Sequence, residues 1–153
     1  MIKQPWKTLG FIWSGFWTLV GLLWALLLGA SWLRWEPEDW SLHYALPEGG
    51  RGRKFFARFN VGAQTVGSVI IYGQADWGAE GGILDKHERS HVRQGMRFGV
   101  FNPFLYALAS LLAWAYGQDI YRGNEAEEQA RAESGQVPQP SDIAPKDHSG
   151  GKL

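Results

Sequence analysis

The chain has 153 residues, equal numbers of basic (Lys plus Arg, 15) and acidic (Asp plus Glu, 15) side chains, and no cysteine. The length predicts one domain. The zero net charge and the absence of a basic stretch interleaved with aromatic residues exclude the usual electrostatic basis for binding nucleic acid. Without cysteine the chain forms neither disulfides nor thiolate metal sites, so a transition-metal site must use histidine and carboxylate ligands.

The N-terminal segment has the composition of a membrane anchor. From Thr8 to Leu33 there are 26 residues without a charge, and several of the nine tryptophans lie near the two ends of this run. A membrane-spanning helix needs about 20 apolar residues, and tryptophan side chains favour the headgroup level. The run therefore predicts a single-pass anchor over residues 1–34, with the lipid bilayer as its partner.

Two features of this segment bear on its processing and orientation. A cleaved signal peptide is the alternative to an anchor, but its apolar region usually has about 7–15 residues and ends in small residues. Here Leu28-Gly29-Ala30 places a large residue where cleavage requires a small one. Lys3 and Lys7 favour a cytoplasmic N-terminus and hence an extracytoplasmic (periplasmic) domain, although Arg34 follows the run and opposes this orientation.

The residues after the anchor predict a small α+β domain over 54–134. β-branched and aromatic residues are typical of strands, and apolar residues at helical spacing indicate helices. A tail rich in Pro, Ser and Gly has too few apolar residues to form a core and is expected to be disordered. The predicted segments are a linker over 35–53, strands over Phe55–Val61 and Gln64–Tyr72, a helix over Ile83–Met96, and the polar tail over 135–153.

A metal-binding motif lies on the predicted helix. His87-Glu88-Arg89-Ser90-His91 has the form H-E-x-x-H. On a helix, residues i and i+4 lie on one face, so the imidazoles of His87 and His91 can bind one ion. Zinc lowers the pKa of a bound water to about 7, and Glu88, beside the ligands, can act as the general base that deprotonates it. The alternative is a solvated surface helix with two histidines among charged residues.

A zinc site needs a third protein ligand, and a carboxylate is the better candidate. The two remaining histidines, His43 and His148, lie in the predicted linker and the predicted tail. Strong helix formers follow Asn124, and among them Glu127 is the first candidate ligand and Glu128 the next. Glu127 also has an alternative role, because Asn124 and Glu127 are spaced as the N-cap and N3 residues of a capping box.

The stretch from Gln64 to Arg131 resembles a minimal, membrane-anchored gluzincin, a zincin-like zinc metallopeptidase. In gluzincins of the membrane-protease type, H-E-x-x-H is followed by E-x-x-A-D, whose Glu is the third ligand. Here Glu127-Glu128-Gln129-Ala130 matches the first four residues, and Arg131 stands where the family has Asp. The resemblance implies a strand, a metal helix, an apolar connector and a ligand helix, in that order.

The same resemblance implies a function. Zinc (Zn²⁺) would be held by His87, His91 and Glu127, with Glu88 as the catalytic base in the hydrolysis of a peptide or protein substrate. A substrate peptide could pair with a strand near Val69–Ile71 by strand addition. Two other functions stay open: a membrane protein that binds metal without hydrolytic activity, and a membrane-anchored interaction protein without metal.

A second apolar run constrains the topology. Residues Phe98–Gln118 carry no charge and are long enough to cross a bilayer. A single crossing would separate the two histidines from Glu127 and exclude Glu127 from the site. Because Asn102-Pro103 interrupts the run and leaves a short helix, we predict a core or membrane-dipping helix that packs beneath the metal helix. A true second span, without Glu127 in the site, is the alternative.

Overall fold

A computed structural model describes residues 5–136, in which a small four-stranded sheet packs with helices. The fold is α+β, as the sequence predicts. Residues 137–153, which hold most of the predicted tail and His148, lie outside the described part. The elements are α1 (Pro5–Trp13), α2 (Gly15–Leu28), β1 (Ser31–Glu36), β2 (Ser41–Ala45), α3 (Arg51–Arg58), β3 (Ala63–Val66), β4 (Val69–Tyr72), α4 (Ile83–Phe98), α5 (Asn102–Ala115) and α6 (Glu125–Ser134), with short 3-10 helices at Ala75–Gly78 and Gly99–Phe101.

The sheet has the strand order β1-β2-β4-β3. β1 pairs antiparallel with β2 and β3 with β4, whereas β2 and β4 are parallel. A two-residue turn, Gly67-Ser68, joins β3 to β4, so the predicted strand Gln64–Tyr72 is two strands. Gly67 adopts a φ of +61°, which glycine tolerates without a steric penalty. β4 is central and fully buried, as expected of a continuous apolar run with both faces covered.

Alternate residues of β4 pack into two core clusters. Val69 and Ile71 pack with α2 and α3, whereas Ile70 and Tyr72 pack with α4. Neighbouring residues of a strand point to opposite faces of a sheet, so the two clusters lie on opposite faces. The sheet therefore separates the N-terminal helix α2 from the motif-bearing helix α4.

Two predicted segments differ from the structure. The predicted linker over 35–53 contains β2, which pairs with β4, and the start of α3. Phe55–Val61, predicted as a strand, begins inside α3 and does not form a strand. Its weak alternation is equally compatible with a helix in which Gly52 and Phe56 form the buried i, i+4 stripe. The basic side chains of α3 lie outside this stripe, as in other amphipathic helices.

The predicted anchor helix over Thr8–Leu33 is two helices and part of a strand. The helical run is interrupted at Ser14 and ends at Leu28, and β1 begins at Ser31. The run ends there because Gly29 takes a left-handed C-cap conformation with a φ of +69°. The end of the helix at Leu28 could not be predicted from the uncharged run, because the first residues of β1 are uncharged as well.

Apart from Leu28, the buried residues of α2 are small, and several of its large apolar side chains point outward. Thr18 and Gly21 are buried where α2 packs on β3 and β4, while Leu23 and Leu26 are 62% and 75% exposed. The fit at Gly21 is close, since a Cβ atom there would lie 2.4 Å from the Val66 carbonyl oxygen. α2 is therefore part of the folded unit and presents an apolar outer face.

By length and composition alone, the helical stretch Ile83–Ala115 could cross a membrane, and its most apolar window is 11% buried. It comprises α4, the second 3-10 turn and α5. The ring centroids of His91 and Tyr106 are 6.5 Å apart, whereas a straight helix would separate these residues by about 22 Å. α5 therefore folds back beside α4. It is not a core helix, because Ala113 is the single buried residue within it.

We expect Gly21→Ala to destabilise the fold, because its methyl group would overlap the Val66 carbonyl oxygen and displace α2 from the sheet. Overpacking of this kind costs about 1–3 kcal/mol. Gly15→Ala is the matched control in the same helix, since a Cβ atom at Gly15 meets nothing within 4 Å. Thermal unfolding in detergent, followed by circular dichroism, measures the difference. Equal melting temperatures for the two variants would contradict the packing of α2 on the sheet.

Candidate metal centre

α4 brings the two motif histidines to one face. The helix begins at Ile83 and ends at Phe98, so the whole motif lies within regular helix. The Nε2 atoms of His87 and His91 are 3.2 Å apart. At that distance two lone pairs repel each other, so either one nitrogen carries a proton or a cation lies between them.

Gln94 determines which nitrogen of His91 faces the centre. The Gln94 Oε1 atom lies 2.9 Å from His91 Nδ1, and the Gln94 amide nitrogen donates to the Ala126 carbonyl at 3.0 Å. The second bond assigns the amide orientation, so Oε1 accepts from Nδ1–H and His91 Nε2 carries the lone pair. Such a partner on the far nitrogen is typical of metal-ligating histidines. Gln94 also joins α4 to α6.

α6 brings the carboxylate of Glu127 to the histidine pair. Glu127 Oε2 lies 3.2 Å from His87 Nε2, and Glu127 Oε1 lies 3.4 Å from His91 Nε2. Burial alone would raise the pKa of Glu127, but the two histidines beside its carboxylate hold it well below its usual range. Glu127 is therefore a carboxylate held among imidazoles, as a metal ligand set requires.

The capping interaction of α6 leaves the Glu127 side chain available for this role. The Asn124 side chain caps the helix by accepting from the Ala126 N–H at 2.9 Å. In a capping box Glu127 would accept from the Asn124 N–H, but that group donates to the Tyr121 carbonyl. The capping-box alternative for Glu127 is therefore wrong, although Asn124 is the N-cap that the sequence predicts.

The spacing of the donor groups is close to that of a tetrahedral zinc site. With metal–ligand distances of about 2.0–2.1 Å, neighbouring donors of a tetrahedron are about 3.3 Å apart. The two imidazole nitrogens are 3.2 Å apart, and each lies 3.2–3.4 Å from a different oxygen of the Glu127 carboxylate. Glu127 Oε2 is also buried and has no hydrogen-bond partner among the described residues, an arrangement that is costly without a nearby cation. Within residues 5–136, His87, His91 and Glu127 are the side chains that meet in a potential metal-binding group.

Glu88 lies beside this group and contacts the edge of the sheet. Its Oε2 atom accepts a hydrogen bond of 2.7 Å from the Thr65 hydroxyl on β3. Burial raises the pKa of the Glu88 carboxyl, against the opposing charge of His91. A carboxylate with a raised pKa exchanges protons more readily near neutral pH, so the environment suits a general base.

Tyr106 contacts Glu127 and was not predicted from the sequence as part of the site. Its hydroxyl donates a hydrogen bond of 2.7 Å to Glu127 Oε1. The Asn124 amide donates to the Tyr106 carbonyl at 3.0 Å and to the Ser110 hydroxyl at 2.7 Å, so α5 is tied to α6 beside Glu127. The signal in the sequence is the spacing of Asn102, Tyr106 and Ser110, polar residues at i, i+4 and i+8 of an otherwise apolar run, which mark one helix face.

Two other residues named from the sequence lie outside the centre. Glu128, the second candidate ligand, is exposed. Arg131, at the position where gluzincins have Asp, donates to the Arg122 carbonyl.

His87 Nδ1 is buried and has no hydrogen-bond partner among the described residues. An acidic partner on that nitrogen is a common support of metal-ligating histidines, and it is missing here.

A second polar cluster, which contains His43, lies between the sheet and α4. His43 Nε2 is 2.7 Å from the Ser41 hydroxyl, and His43 Nδ1 is 3.0 Å from the Tyr72 hydroxyl. Tyr72 in turn donates to Asp85 at 2.8 Å, and Asp85 also pairs with Arg34. Asp85 lies in the first turn of α4, so this buried chain fixes the start of the motif helix against the sheet. His43 therefore supports α4 and is not part of the metal-binding group.

Charged residues hold the other side of α4. Arg89, inside the motif, pairs with Glu38 and Asp39 in the turn between β1 and β2. Arg93, one turn later, pairs with Glu133 of α6. His87 is only 5% exposed. The alternative in which the motif lies on a solvated surface helix is therefore wrong.

Comparison with known proteins gives no match for the chain among protein families, curated proteins or solved structures. The gluzincin resemblance rests on its motif residues.

We expect His43 to make folding stability depend on pH. Burial, followed by the charge of Arg34, lowers the pKa of His43 to about 4, whereas a histidine in the unfolded chain titrates near about 6.5. Between these values the unfolded state binds more protons, so stability falls as the pH drops from the upper to the lower value. Denaturant unfolding of wild type and His43→Gln measures the effect, and their stability difference should narrow as the pH falls. A difference that does not change with pH would contradict a neutral, buried His43.

Proposed function

We propose that the chain is a membrane-associated, zinc-dependent peptidase. The observation that carries the proposal is the convergence of His87, His91 and Glu127 beside Glu88. The imidazole nitrogens are 3.2 Å apart, and each lies within 3.4 Å of a carboxylate oxygen of Glu127. Two histidines and one carboxylate form the ligand set of several zinc peptidases, in which a fourth position stays open for water or substrate. Structural zinc sites instead use four protein ligands, so the set of three found among residues 5–136 favours catalysis.

The side chains around the group divide the work of peptide hydrolysis. When bound at these ligands, zinc supplies a Lewis acid and a water of near-neutral pKa. Glu88 would serve as the general base through the carboxylate oxygen that is not bound to Thr65, where it would hold the proton taken from water until the leaving amine accepts it. Gln94 holds the His91 ring in orientation, and Tyr106 holds Glu127.

The edge strand β3 is the part of the sheet suited to a peptide substrate. It packs beside α4, and its residue Thr65 bonds to Glu88, so the edge lies next to the proposed base. An extended peptide can add to an open sheet edge through backbone hydrogen bonds. Val69–Ile71, the segment suggested by the sequence, lies in the central strand β4, which is paired on both sides and cannot accept a further strand.

The outward faces of α2 and α5 support a location at a membrane. Most of the residues that these helices bury are small or polar, with Leu28 as the exception, and both helices expose large apolar side chains such as Leu23 on α2 and Leu108 on α5. Helices of water-soluble proteins show the opposite distribution, whereas membrane helices commonly pack through small residues. The packing of α2 into the core also favours an anchor that stays with the domain. The extracytoplasmic side is proposed from Lys3 and Lys7 alone, and Arg34 opposes it.

Metal analysis tests the ligand set. We expect about one zinc per chain when the full-length protein is purified in detergent and analysed by mass spectrometry. Glu127→Gln should lose most of this zinc, because it removes the anionic ligand. Glu128→Gln is the matched control, since Glu128 is an exposed carboxylate one residue further along, and it should retain zinc. A folded wild-type protein without zinc, or equal loss in both variants, would overturn the proposed site.

Glu88→Gln separates catalysis from metal binding. The amide cannot accept the proton, so we expect zinc to be retained and hydrolysis of a fluorescence-quenched peptide library to fall by about 10²–10⁴-fold. An unchanged rate would contradict the assignment of Glu88 as the base. Bound zinc without hydrolysis by the wild type would favour the alternative of a metal-binding protein without hydrolytic activity.

A further inference from the structure

α5 has an inverted distribution of side chains. Its inward face carries Tyr106, Ser110 and Ala113, which are polar or small. In a water-soluble protein the apolar stripe of a helix faces the core instead. The pattern therefore requires an apolar environment outside α5. The outward side chains and their exposed fractions are Phe104 68%, Leu105 41%, Leu108 51%, Leu111 57%, Leu112 49% and Trp114 64%.

The outer surface of α5 has the character of a bilayer contact. No charged residue lies between Phe98 and Gln118, whereas protein interfaces usually have a polar rim. The surface also continues into the N-terminal helices. The ring centroids of Trp13 and Phe101 are 6.1 Å apart, and the Trp17 indole donates to the Val100 carbonyl at 3.0 Å. A wide uncharged surface with aromatic side chains at its border is typical of proteins at a membrane.

The length of α5 excludes a simple crossing. Its 14 residues extend about 21 Å, which is shorter than the hydrocarbon core of about 30 Å. After α5 the chain returns to place Glu127 beside His87 and His91. α5 therefore lies along or dips into one leaflet, with both of its ends on the side of the metal-binding group.

The same helix holds the third ligand in place. On the inward face, the Tyr106 hydroxyl donates to Glu127, and Asn124 at the start of α6 donates to the Tyr106 carbonyl and the Ser110 hydroxyl. Apart from these hydrogen bonds, the burial of α5 is limited to Ala113. The position of the Tyr106 hydroxyl thus depends on whether α5 stays against α4 and α6.

We propose that the lipid bilayer covers the outer face of α5 and, through Tyr106 and Asn124, stabilises Glu127 in its metal-binding position. The inference rests on the proposed function for the identity of the site, and adds a regulation of that site: zinc affinity depends on the membrane. Tyr106 acts as a positioning residue. Coupling of two binding events is reciprocal, so bound zinc also strengthens the contact of α5 with the bilayer.

Single spin labels test the membrane contact, and the absence of cysteine in the chain makes them simple to introduce. In the full-length protein in phosphatidylcholine vesicles, a nitroxide is attached to Leu108→Cys on α5, Leu23→Cys on α2, or the exposed polar control Glu128→Cys on α6. We expect the labels on α5 and α2 to collide with oxygen and to be shielded from a water-soluble nickel chelate. The label on α6 should show the reverse. A label on α5 that is open to the chelate would overturn the inference.

Zinc affinity in the same vesicles, measured against a chelating dye, tests the coupling. Leu108→Ser/Leu112→Ser removes two leucines from the outer face of α5, and Leu23→Ser/Leu27→Ser removes two from that of α2. We expect the α5 pair to weaken zinc affinity about tenfold, within the usual range of coupling between sites, and the α2 pair to leave it unchanged. Equal weakening by both pairs, or no effect of the α5 pair, would overturn the coupling. Circular dichroism verifies that all variants keep their helices.

Tyr106→Phe removes the hydrogen bond from the Tyr106 hydroxyl to Glu127. We expect it to weaken zinc affinity about tenfold, as for other groups that orient a metal ligand, while a label on α5 stays shielded from the chelate. Adding the α5 leucine pair to Tyr106→Phe should then weaken affinity less than it does in the wild type, because interacting sites are not additive. Full additivity would contradict transmission through Tyr106.

The outcomes distinguish the two proposals. If the Leu108→Ser/Leu112→Ser substitutions do not change zinc affinity, the proposed coupling is contradicted, and the proposed peptidase activity is not affected. Coupled zinc binding without peptide hydrolysis removes the peptidase and leaves the coupling. A wild-type protein that binds no zinc in vesicles removes both.

Discussion

The carboxylate of Glu127, buried against two imidazoles, is the interaction on which the arrangement of residues 83–136 depends. A buried carboxylate is costly unless hydrogen bonds and positive charge surround it, so α6 must pack on α4 at the level of the histidines. The chain between these helices must therefore reverse twice. The first reversal is at Gly99, with a φ of +57°, where a Cβ atom would overlap the Trp13 indole. The N-terminal helix α1 thus contributes to the same construction.

The apolar outer faces of α2 and α5 result from the same packing. Most of the residues that α2 and α5 bury are small or polar, although Leu28 of α2 is buried as well. Close approach of backbones is needed at Gly21, and hydrogen bonds are needed at Tyr106. The large side chains of both helices are left outside, where water would cost each of them the free energy that burial supplies. An apolar surrounding removes this cost. The proposed membrane association and the geometry of the group formed by His87, His91 and Glu127 would then both result from one distribution of residues.

Those parts of the fold in which local pattern and tertiary environment agree could be predicted from the sequence. The helix around His87 and His91 combines helical spacing with a motif that requires a helix, and Asn124 is both a good N-cap and the observed one. The strand prediction for Phe55–Val61 was wrong because a short alternation is compatible with either a strand or a helix. The burial of Phe56 decides between them. β1 and β2 were missed because parallel pairing of β2 with β4 is a long-range contact with no local signal.

In the candidate site, too, residues with a local sequence signal could be predicted, and residues placed by long-range contacts could not. Glu127 was found through a spacing shared with a family, whereas Tyr106 lies in a run whose composition indicates only an apolar helix. Its role depends on the return of α5 to α6, which no local pattern encodes. Gln94 lies three residues after His91 in the same helix, but the orientation in which its amide bonds to His91 Nδ1 depends on the Ala126 carbonyl of a distant helix.

The two histidines are supported unequally, and this bears on how the group would hold a metal. His91 has Gln94 on its far nitrogen, whereas His87 Nδ1 is buried without an acceptor among the described residues. When Nε2 of His87 binds a cation, Nδ1 must carry the proton, and a buried N–H without a partner costs about 1–3 kcal/mol. If the group holds a metal as proposed, this cost weakens metal binding. Its occupancy then depends more on the contacts that orient the remaining ligands, above all on the hydrogen bond from Tyr106 to Glu127.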